Sequence, residues 1–103
     1  MKITKSTIQV NSYVADTMAV VLRLEKRRMP KKIKNVFVDA ENGNASIKIP
    51  SIVFAELAYL SEKKRIDTTL NKAKQFVENH SNIHALPMTI STVLNAFEID
   101  DIP

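Results

Sequence analysis

The chain has 103 residues, enough for one small domain, and its 45% apolar and 25% charged residues are typical of a globular protein rather than a disordered one. It has no cysteine and a single glycine, which excludes disulfides, thiolate metal sites and the glycine-rich loops that bind dinucleotides or nucleoside triphosphates. The formal charge of +4 weakly favours polyanionic partners, and the absence of a signal peptide or bilayer-spanning apolar segment predicts a cytoplasmic protein with no membrane partner.

The first predicted elements are a strand and two helices. A short apolar strand over residues 13–15 leads into a helix over residues 17–27, whose apolar and basic residues occupy opposite faces. Met29-Pro30 ends this helix and begins a second one, because proline is tolerated in a first helical turn. The turn at residues 42–44 contains Gly43 and supplies a left-handed end for the second helix.

The next predicted elements repeat this order. A β-prone segment over residues 45–49 precedes a helix that Ser51 caps and that runs to about residue 63. Thr68 or Thr69 caps the following helix, residues 83–86 form a third strand, and Thr89 opens a last helix.

This alternation predicts an α/β fold, with an open parallel three-stranded sheet and flanking helices, because parallel strands are joined by helical crossovers. We expect one domain over residues 13–103. Residues 1–12 precede the first core strand, as an N-terminal extension or as an extra edge strand.

Two isolated acidic residues follow neighbouring strands of the predicted sheet. Asp16 is the only charged residue over positions 13–22, and Glu56 is the only one over positions 49–60. Open α/β sheets bind ligands beyond the carboxyl ends of their strands, and a buried carboxylate is costly unless it is paired or binds a metal. Both residues are therefore candidates for a functional site.

Each acid also has a purely structural interpretation. Asp16 is well placed as the N-cap of the helix that starts at Thr17, a role compatible with metal binding. Glu56 lies too deep in its helix for a capping role, and its apolar neighbours predict a helix that is buried on more than one face. The alternative for Glu56 is a glutamate exposed at the edge of the helix.

Three segments resemble the PIN-domain family in order and in separation. Residues 13–17 (YVADT) are similar to the strand and Asp-Thr pair that open these domains. Residues 49–57, followed by residues 63–66, are similar to the family's second strand and glutamate helix. Residues 84–89 are similar to the strand and turn before its next acid. The closest subgroup is the VapC-like toxins of type II toxin–antitoxin pairs, and the resemblance implies an incomplete PIN-like (Rossmann-like) domain.

The resemblance implies an endoribonuclease that depends on Mg²⁺ or Mn²⁺. In that family, carboxylates at the strand ends hold metal against the scissile phosphate, where the metal polarises the phosphoryl oxygens and generates hydroxide from water. By this resemblance Asp16 and Glu56 are catalytic metal ligands, and Thr17 is a catalytic residue that orients water or metal through its hydroxyl. An ordinary first-turn position is an equal alternative for Thr17.

One part of the family pattern is missing. The third acid of the family lies on a helix after a segment similar to residues 99–103, where this sequence stops, and neither Asp100 nor Asp101 is assigned to that position. Two carboxylates are expected to bind Mg²⁺ weakly and to place it poorly for in-line attack, so we expect impaired cleavage.

Basic residues fall into two clusters, over residues 23–34 and 63–65. Cations near a helix end are commonly solvated and suit the helix dipole, and phosphate binding is the alternative for both clusters. If the clusters bind RNA, the residues that we expect to do so are Arg23, Arg27, Lys31, Lys63, Lys64 and Arg65.

Two functions stay open at this point, a metal-dependent ribonuclease and a non-catalytic PIN-like module that binds RNA or a partner protein. A phosphoacceptor receiver is disfavoured, because Ala15 stands where its second acid is needed. The resemblance implies an antitoxin protein as partner. The open edge of the first strand predicts a homodimer, a strand-exchanged oligomer, or cover by residues 1–12.

Overall fold

The structure is a computed structural model, and it describes residues 3–5 and 11–87. The predicted last helix from Thr89, together with Asp100 and Asp101, lies outside the described residues. The elements in chain order are β1 (Ile3–Lys5), β2 (Ser12–Ala15), α1 (Thr17–Leu24), α2 (Lys31–Glu41), β3 (Ser46–Pro50), α3 (Ser51–Glu62), α4 (Leu70–Glu78) and β4 (Ile83–Leu86).

The described residues form a sheet with the strand order β1-β2-β3-β4. Strands β2, β3 and β4 are parallel, and pairs of helices connect them in sequence. This confirms the predicted α/β fold with an open sheet, three parallel strands and flanking helices. We call the edge where these three strands end the carboxyl edge, and the edge where they begin the amino edge.

Strand β1 adds a fourth, antiparallel strand to the predicted three. It pairs with β2 in the register Ile3↔Ala15, Thr4↔Val14 and Lys5↔Tyr13, and therefore occupies the side of β2 that β3 leaves open. Within the segment 1–12, for which an extension and an edge strand were the alternatives, Ile3–Lys5 form an edge strand. The edge of β2 is thus covered by β1 of the same chain, which was one of the three alternatives for it.

The core lies between the sheet and its helices. Ile47 and Ile49 alternate with half-buried Ser46 and Lys48 along β3, as expected for a strand with one face against helices. From α2, Phe37 is fully buried against this layer, and its ring lies 6.4 Å from that of Phe76 in α4. No described helix is both long and apolar enough to cross a membrane.

Helix α3 differs from its prediction in two respects. It starts at Ser51, and Pro50 occupies the N-cap position without a side-chain hydrogen bond, so Ser51 is not the cap. Only Val53 and Leu57 are buried in α3, so the prediction of burial on more than one face was wrong. The physical reason is that the helix packs on the molecule along a single stripe, and apolar residues outside that stripe stay exposed.

Helices α1 and α3 both end with a lysine in the left-handed conformation. Lys26 has φ 55° and Lys64 has φ 58°, and each follows the C-cap residue of its helix. The amides of the next residues, Arg27 and Arg65, donate hydrogen bonds to the carbonyl oxygens five residues earlier, each at an N···O distance of 2.9 Å. This is the Schellman motif, in which glycine usually takes the left-handed position because an L side chain there is strained. Gly43 takes that position after α2, with φ 86°.

We expect Lys64→Gly to stabilise the fold. Relief of the left-handed strain should raise the free energy of unfolding by about 0.5–1 kcal/mol, after allowance for the greater freedom of glycine in the unfolded chain. Lys63→Gly is the matched control, because Lys63 has a right-handed φ of −80° and loses the same charge at the same helix end. Urea denaturation checks both variants, and a Lys64→Gly protein no more stable than the Lys63→Gly protein contradicts the account.

Candidate functional site

Asp16 stands at the carboxyl edge, between the last residue of β2 and the first of α1. Its backbone is extended, with φ −88° and ψ 177°, and its Oδ1 accepts a hydrogen bond from the amide of Ala19 at 2.9 Å. Asp16 is therefore the N-cap of α1, as its structural interpretation predicted. Capping engages one of the two carboxylate oxygens and leaves the side chain half-buried rather than enclosed.

Thr17 and Glu56 differ in their exposure. Thr17 is the first residue of α1 and is buried, with 7% of its surface exposed. Glu56 lies in the second turn of α3 and is exposed. It falls between Ile52 and Tyr59 at the i, i+4, i+7 spacing of one helix side, and both of those residues are also exposed. The burial cost that suggested a function for Glu56 therefore does not exist in this structure.

The topology still relates Glu56 to Asp16. Strands β2 and β3 are neighbours and parallel, so α1 and α3 both start at the carboxyl edge, and the two helices pack against each other. Among the described residues, no group of three or more His, Cys, Asp or Glu side chains gathers as a metal site. Of the described acids, Asp16 on its cap and Glu56 on its exposed helix side are the two that follow β2 and β3 at this edge.

These two residues fit a hard divalent cation in their chemistry. Carboxylate oxygens are the ligands that Mg²⁺ takes from proteins, and Mg²⁺ is commonly bound by one or two carboxylates while it retains several waters. The second oxygen of Asp16 and the exposed carboxylate of Glu56 would be the protein ligands. With no third acid beside them among residues 3–5 and 11–87, such a site depends mainly on water.

The basic residues lie toward the other end of the molecule. A cleft of about 750 Å³ is lined by the end of α1, the following loop, and residues of α2 and α4. His80 forms part of the cleft wall, and its carbonyl oxygen accepts a hydrogen bond from the amide of Ile83, where β4 begins. The cleft therefore lies at the amino edge. The cations that line this cleft are Arg23, Lys26, Arg27, Arg28 and Lys34.

The residues predicted to bind RNA are engaged to different degrees. Arg23 forms two hydrogen bonds to Glu41 of α2, and these raise the pKa of the guanidinium although burial opposes the shift. Arg27 lies 2.8 Å from Glu25, and the ammonium of Lys63 lies 5.7 Å from the ring centre of Tyr59. The remaining three are exposed: Lys31, Lys64 and Arg65.

Arg23 in particular contributes to the structure. Its bidentate contact with Glu41 joins α1 to α2, and both side chains are mostly buried. A bidentate ion pair of this kind requires a specific geometry and is stronger than a hydrogen bond between neutral groups. Binding of a phosphate by Arg23 would therefore require that this pair be opened or shared.

Glu25 connects the segments that carry the two basic clusters. It is the C-cap residue of α1, and its Oε2 accepts hydrogen bonds from the amide of Asp67 at 3.0 Å, the amide of Thr68 at 2.8 Å and the hydroxyl of Thr68 at 2.6 Å. The loop after α3 is thereby fastened to the end of α1. Thr68 is 1% exposed, so the bond network closes a buried corner.

These contacts determine the titration of Glu25. Burial opposes ionisation, but the hydrogen bonds from the side chain and amide of Thr68, the charge of Arg27 and the amide of Asp67 together lower the pKa of Glu25. A carboxyl group with a lowered pKa in the folded state stabilises the fold when it is ionised. This contribution is present above the unfolded-state pKa and is lost as the pH falls through the folded-state pKa.

Sequence reasoning did not identify Glu25, Glu41 or His80 as site residues, and it considered Thr68 only as a possible helix cap. Glu25 and Glu41 stand among basic residues in the sequence, and their partners are far away along the chain, at positions 67–68 and 23. The left-handed lysines were also missed, because glycine is the residue that signals this conformation. The sequence indicates His80 only weakly, because His80 continues the helical spacing of the residues along one side of α4.

The chain was compared with protein-family models, with curated proteins and with solved structures, and none of them matches it.

We expect Glu25→Gln to destabilise the fold in a pH-dependent manner. At pH 7 the loss should be about 1–3 kcal/mol, because Thr68 and Asp67 lose a charged acceptor. The difference from the unsubstituted protein should shrink as the pH falls below about 4.3, the ordinary value for glutamate. Urea denaturation from pH 3 to pH 7 measures it, with Glu62→Gln on exposed α3 surface as control; a difference that is constant over this range contradicts the assignment.

Proposed function

We propose that this chain is a PIN-like domain of metal-dependent endoribonuclease lineage. Asp16 and Glu56 are the proposed ligands of Mg²⁺ or Mn²⁺, and Thr17 the residue that orients bound water. The observation that carries the proposal is the Asp16-Thr17 pair at the end of internal strand β2, beside a parallel strand that leads into the helix of Glu56. Ligand sites of open α/β sheets lie at this edge.

The proposed chemistry needs no covalent nucleophile from the protein. A divalent cation, when bound, supplies Lewis-acid stabilisation of the phosphoryl oxygens and a hydroxide at neutral pH. Asp16 can offer one oxygen while the other keeps the cap on the amide of Ala19, so the position of this ligand is fixed by the helix itself. Glu56 is exposed on the second turn of its helix, which leaves its carboxylate less well oriented.

A non-catalytic RNA-binding module is the second candidate. It is favoured by the exposure of Glu56 and by the lack of a third acidic neighbour among the described residues. Alignment of the attacking water, the metal and the leaving oxygen matters by large factors, since a misplacement of about 1 Å can reduce the rate about 100-fold. We therefore propose that cleavage by this chain is slow.

The partners follow from the resemblance. We propose an antitoxin protein as binding partner, a homodimer as the assembly, and the cytoplasm as the location. The exposed side chains of Ile52 and Tyr59, on one side of α3, and of Met18 in the neighbouring helix α1 support a protein contact there, because exposed apolar surface often marks such contacts. This surface replaces the covered edge of β2 as the candidate interface.

The proposal predicts that metal binding depends on both acids. Asp16→Asn removes the charge but keeps a good N-cap, and Glu56→Gln alters an exposed side chain, so both variants should fold. Calorimetric titration with Mn²⁺ should show weaker binding in both variants than in the unsubstituted chain. Asp39→Asn, at an exposed position of α2, is the control and should bind as the unsubstituted chain does.

A gel assay on labelled RNA separates the two candidate functions. Slow cleavage that requires Mn²⁺, stops with chelator and disappears in Asp16→Asn supports the nuclease. Metal binding that neither substitution weakens contradicts the proposed site, and robust cleavage that persists in Asp16→Asn means that the active site is elsewhere.

A further inference from the structure

We propose that the cleft at the amino edge is a binding site for the phosphate backbone of single-stranded RNA, separate from the acids at the carboxyl edge. The choice of RNA as the polyanion rests on the proposed function. The inference that the cleft binds a polyanion rests on its charge and shape alone. The site includes Lys26, Arg28 and Lys34, which the sequence analysis did not assign to RNA binding.

The first argument is the charge of the cleft. Of its lining cations, Arg23 is paired with Glu41, and Arg27 is paired with Glu25. The others, Lys26, Arg28 and Lys34, are exposed and have no acidic partner within ion-pair distance among the described residues. Several uncompensated cations around one concavity attract an anion with more than one charge.

The second argument is the backbone strain at Lys26. A left-handed lysine at the end of α1 is less stable than glycine would be, and strained residues that persist often serve a function. Here the strain places a cation in the wall of the cleft. The corresponding lysine after α3, Lys64, belongs to a loop that Glu25 fastens to the same end of the molecule through Thr68. Both strained lysines therefore add charge at the amino edge.

The third argument is that the cleft offers an aromatic surface beside its cations. The rings of Phe76 and His80 are 4.9 Å apart and both line the cleft. Because a carbonyl can only accept, the 2.8 Å contact with the carbonyl of Phe76 makes Nδ1 of His80 the donor and leaves Nε2 for a ligand. An aromatic face next to guanidinium and ammonium groups suits a base and its phosphate better than it suits a carboxylate peptide.

The fourth argument is size and separation. A cleft of about 750 Å³ is larger than one phosphate group requires and has room for a nucleotide unit. The first residue of α1 that lines the cleft is Leu22, about 9 Å along the helix axis from Asp16. A strand bound in the cleft therefore contacts a region that the acids do not share, and only neighbouring nucleotides reach the carboxyl edge.

The test is fluorescence anisotropy of a short labelled oligouridylate with the full chain in the presence of EDTA, so that metal binding plays no part. The variant Arg28→Glu/Lys34→Glu should bind at least about tenfold more weakly, and the slope of log affinity against log salt should fall by about 0.7 for each phosphate that the variant no longer neutralises. Lys72→Glu/Lys74→Glu is the control with the same change of net charge, since both lysines are exposed on α4 outside the cleft. It should retain the affinity and the slope.

A second variant separates binding from folding. Lys26→Gly should bind RNA more weakly while its free energy of unfolding rises, an outcome that a merely structural role of Lys26 does not produce. Asp16→Asn should bind RNA in EDTA as the unsubstituted chain does, so this inference can hold even if the proposed metal site fails.

The proposal is overturned if the control variant loses as much affinity as the cleft variant, because the attraction is then diffuse. It is also overturned if the unsubstituted chain does not bind the oligonucleotide, or if Lys26→Gly binds it as tightly as the unsubstituted chain does. Polyglutamate that competes as well as RNA would show instead that the cleft takes an acidic peptide.

Discussion

The parallel pairing of β2 with β3 determines where the helices begin and where the acids and lysines discussed above lie. Its register, Ser12↔Ser46 to Val14↔Lys48, makes both strands end at one edge, so α1 and α3 must start there and return toward the other. Asp16 caps α1 at the first edge, where the helix dipole favours a carboxylate. The cations of Lys26 and Lys64 follow the ends of the two helices, where the dipole favours positive charge. The separation of Asp16 from these two lysines thus follows from the topology.

The amino edge is held together by ion pairs and hydrogen bonds rather than by the apolar core alone. Arg23 joins α1 to α2 through Glu41, and Glu25 joins the end of α1 to the loop before α4 through Thr68. These contacts neutralise part of the local positive charge, whereas Lys26, Arg28 and Lys34 remain exposed in the cleft. The same end of the molecule therefore contains both the contacts that stabilise it and the cations proposed to bind phosphate, and the strained Lys26 belongs to the second group.

The sequence predicted those features that depend on local periodicity. Strand β4 was predicted with its observed bounds, and the capping role of Thr69 was one of two alternatives, because alternating and helical patterns are local signals. The burial of α3 was mispredicted, since a run of apolar residues does not reveal how many faces a helix packs with, and Glu56 proved exposed. The pairing of Glu25 with Thr68 joins residues 43 positions apart, and no local pattern signals it. The fold was thus more predictable than the site.

We propose that a divalent cation and an RNA strand bind at opposite edges of one sheet. Amide chemical shifts in a ¹H–¹⁵N spectrum test it directly when the chain is titrated with Mg²⁺ alone and, separately, with a short RNA in EDTA. We predict that Mg²⁺ shifts the signals of Asp16, Thr17 and Glu56, and that RNA shifts those of Lys26, Arg28 and His80. Shifts by both ligands at one edge, or shifts by Mg²⁺ that avoid Asp16 and Glu56, would contradict the account.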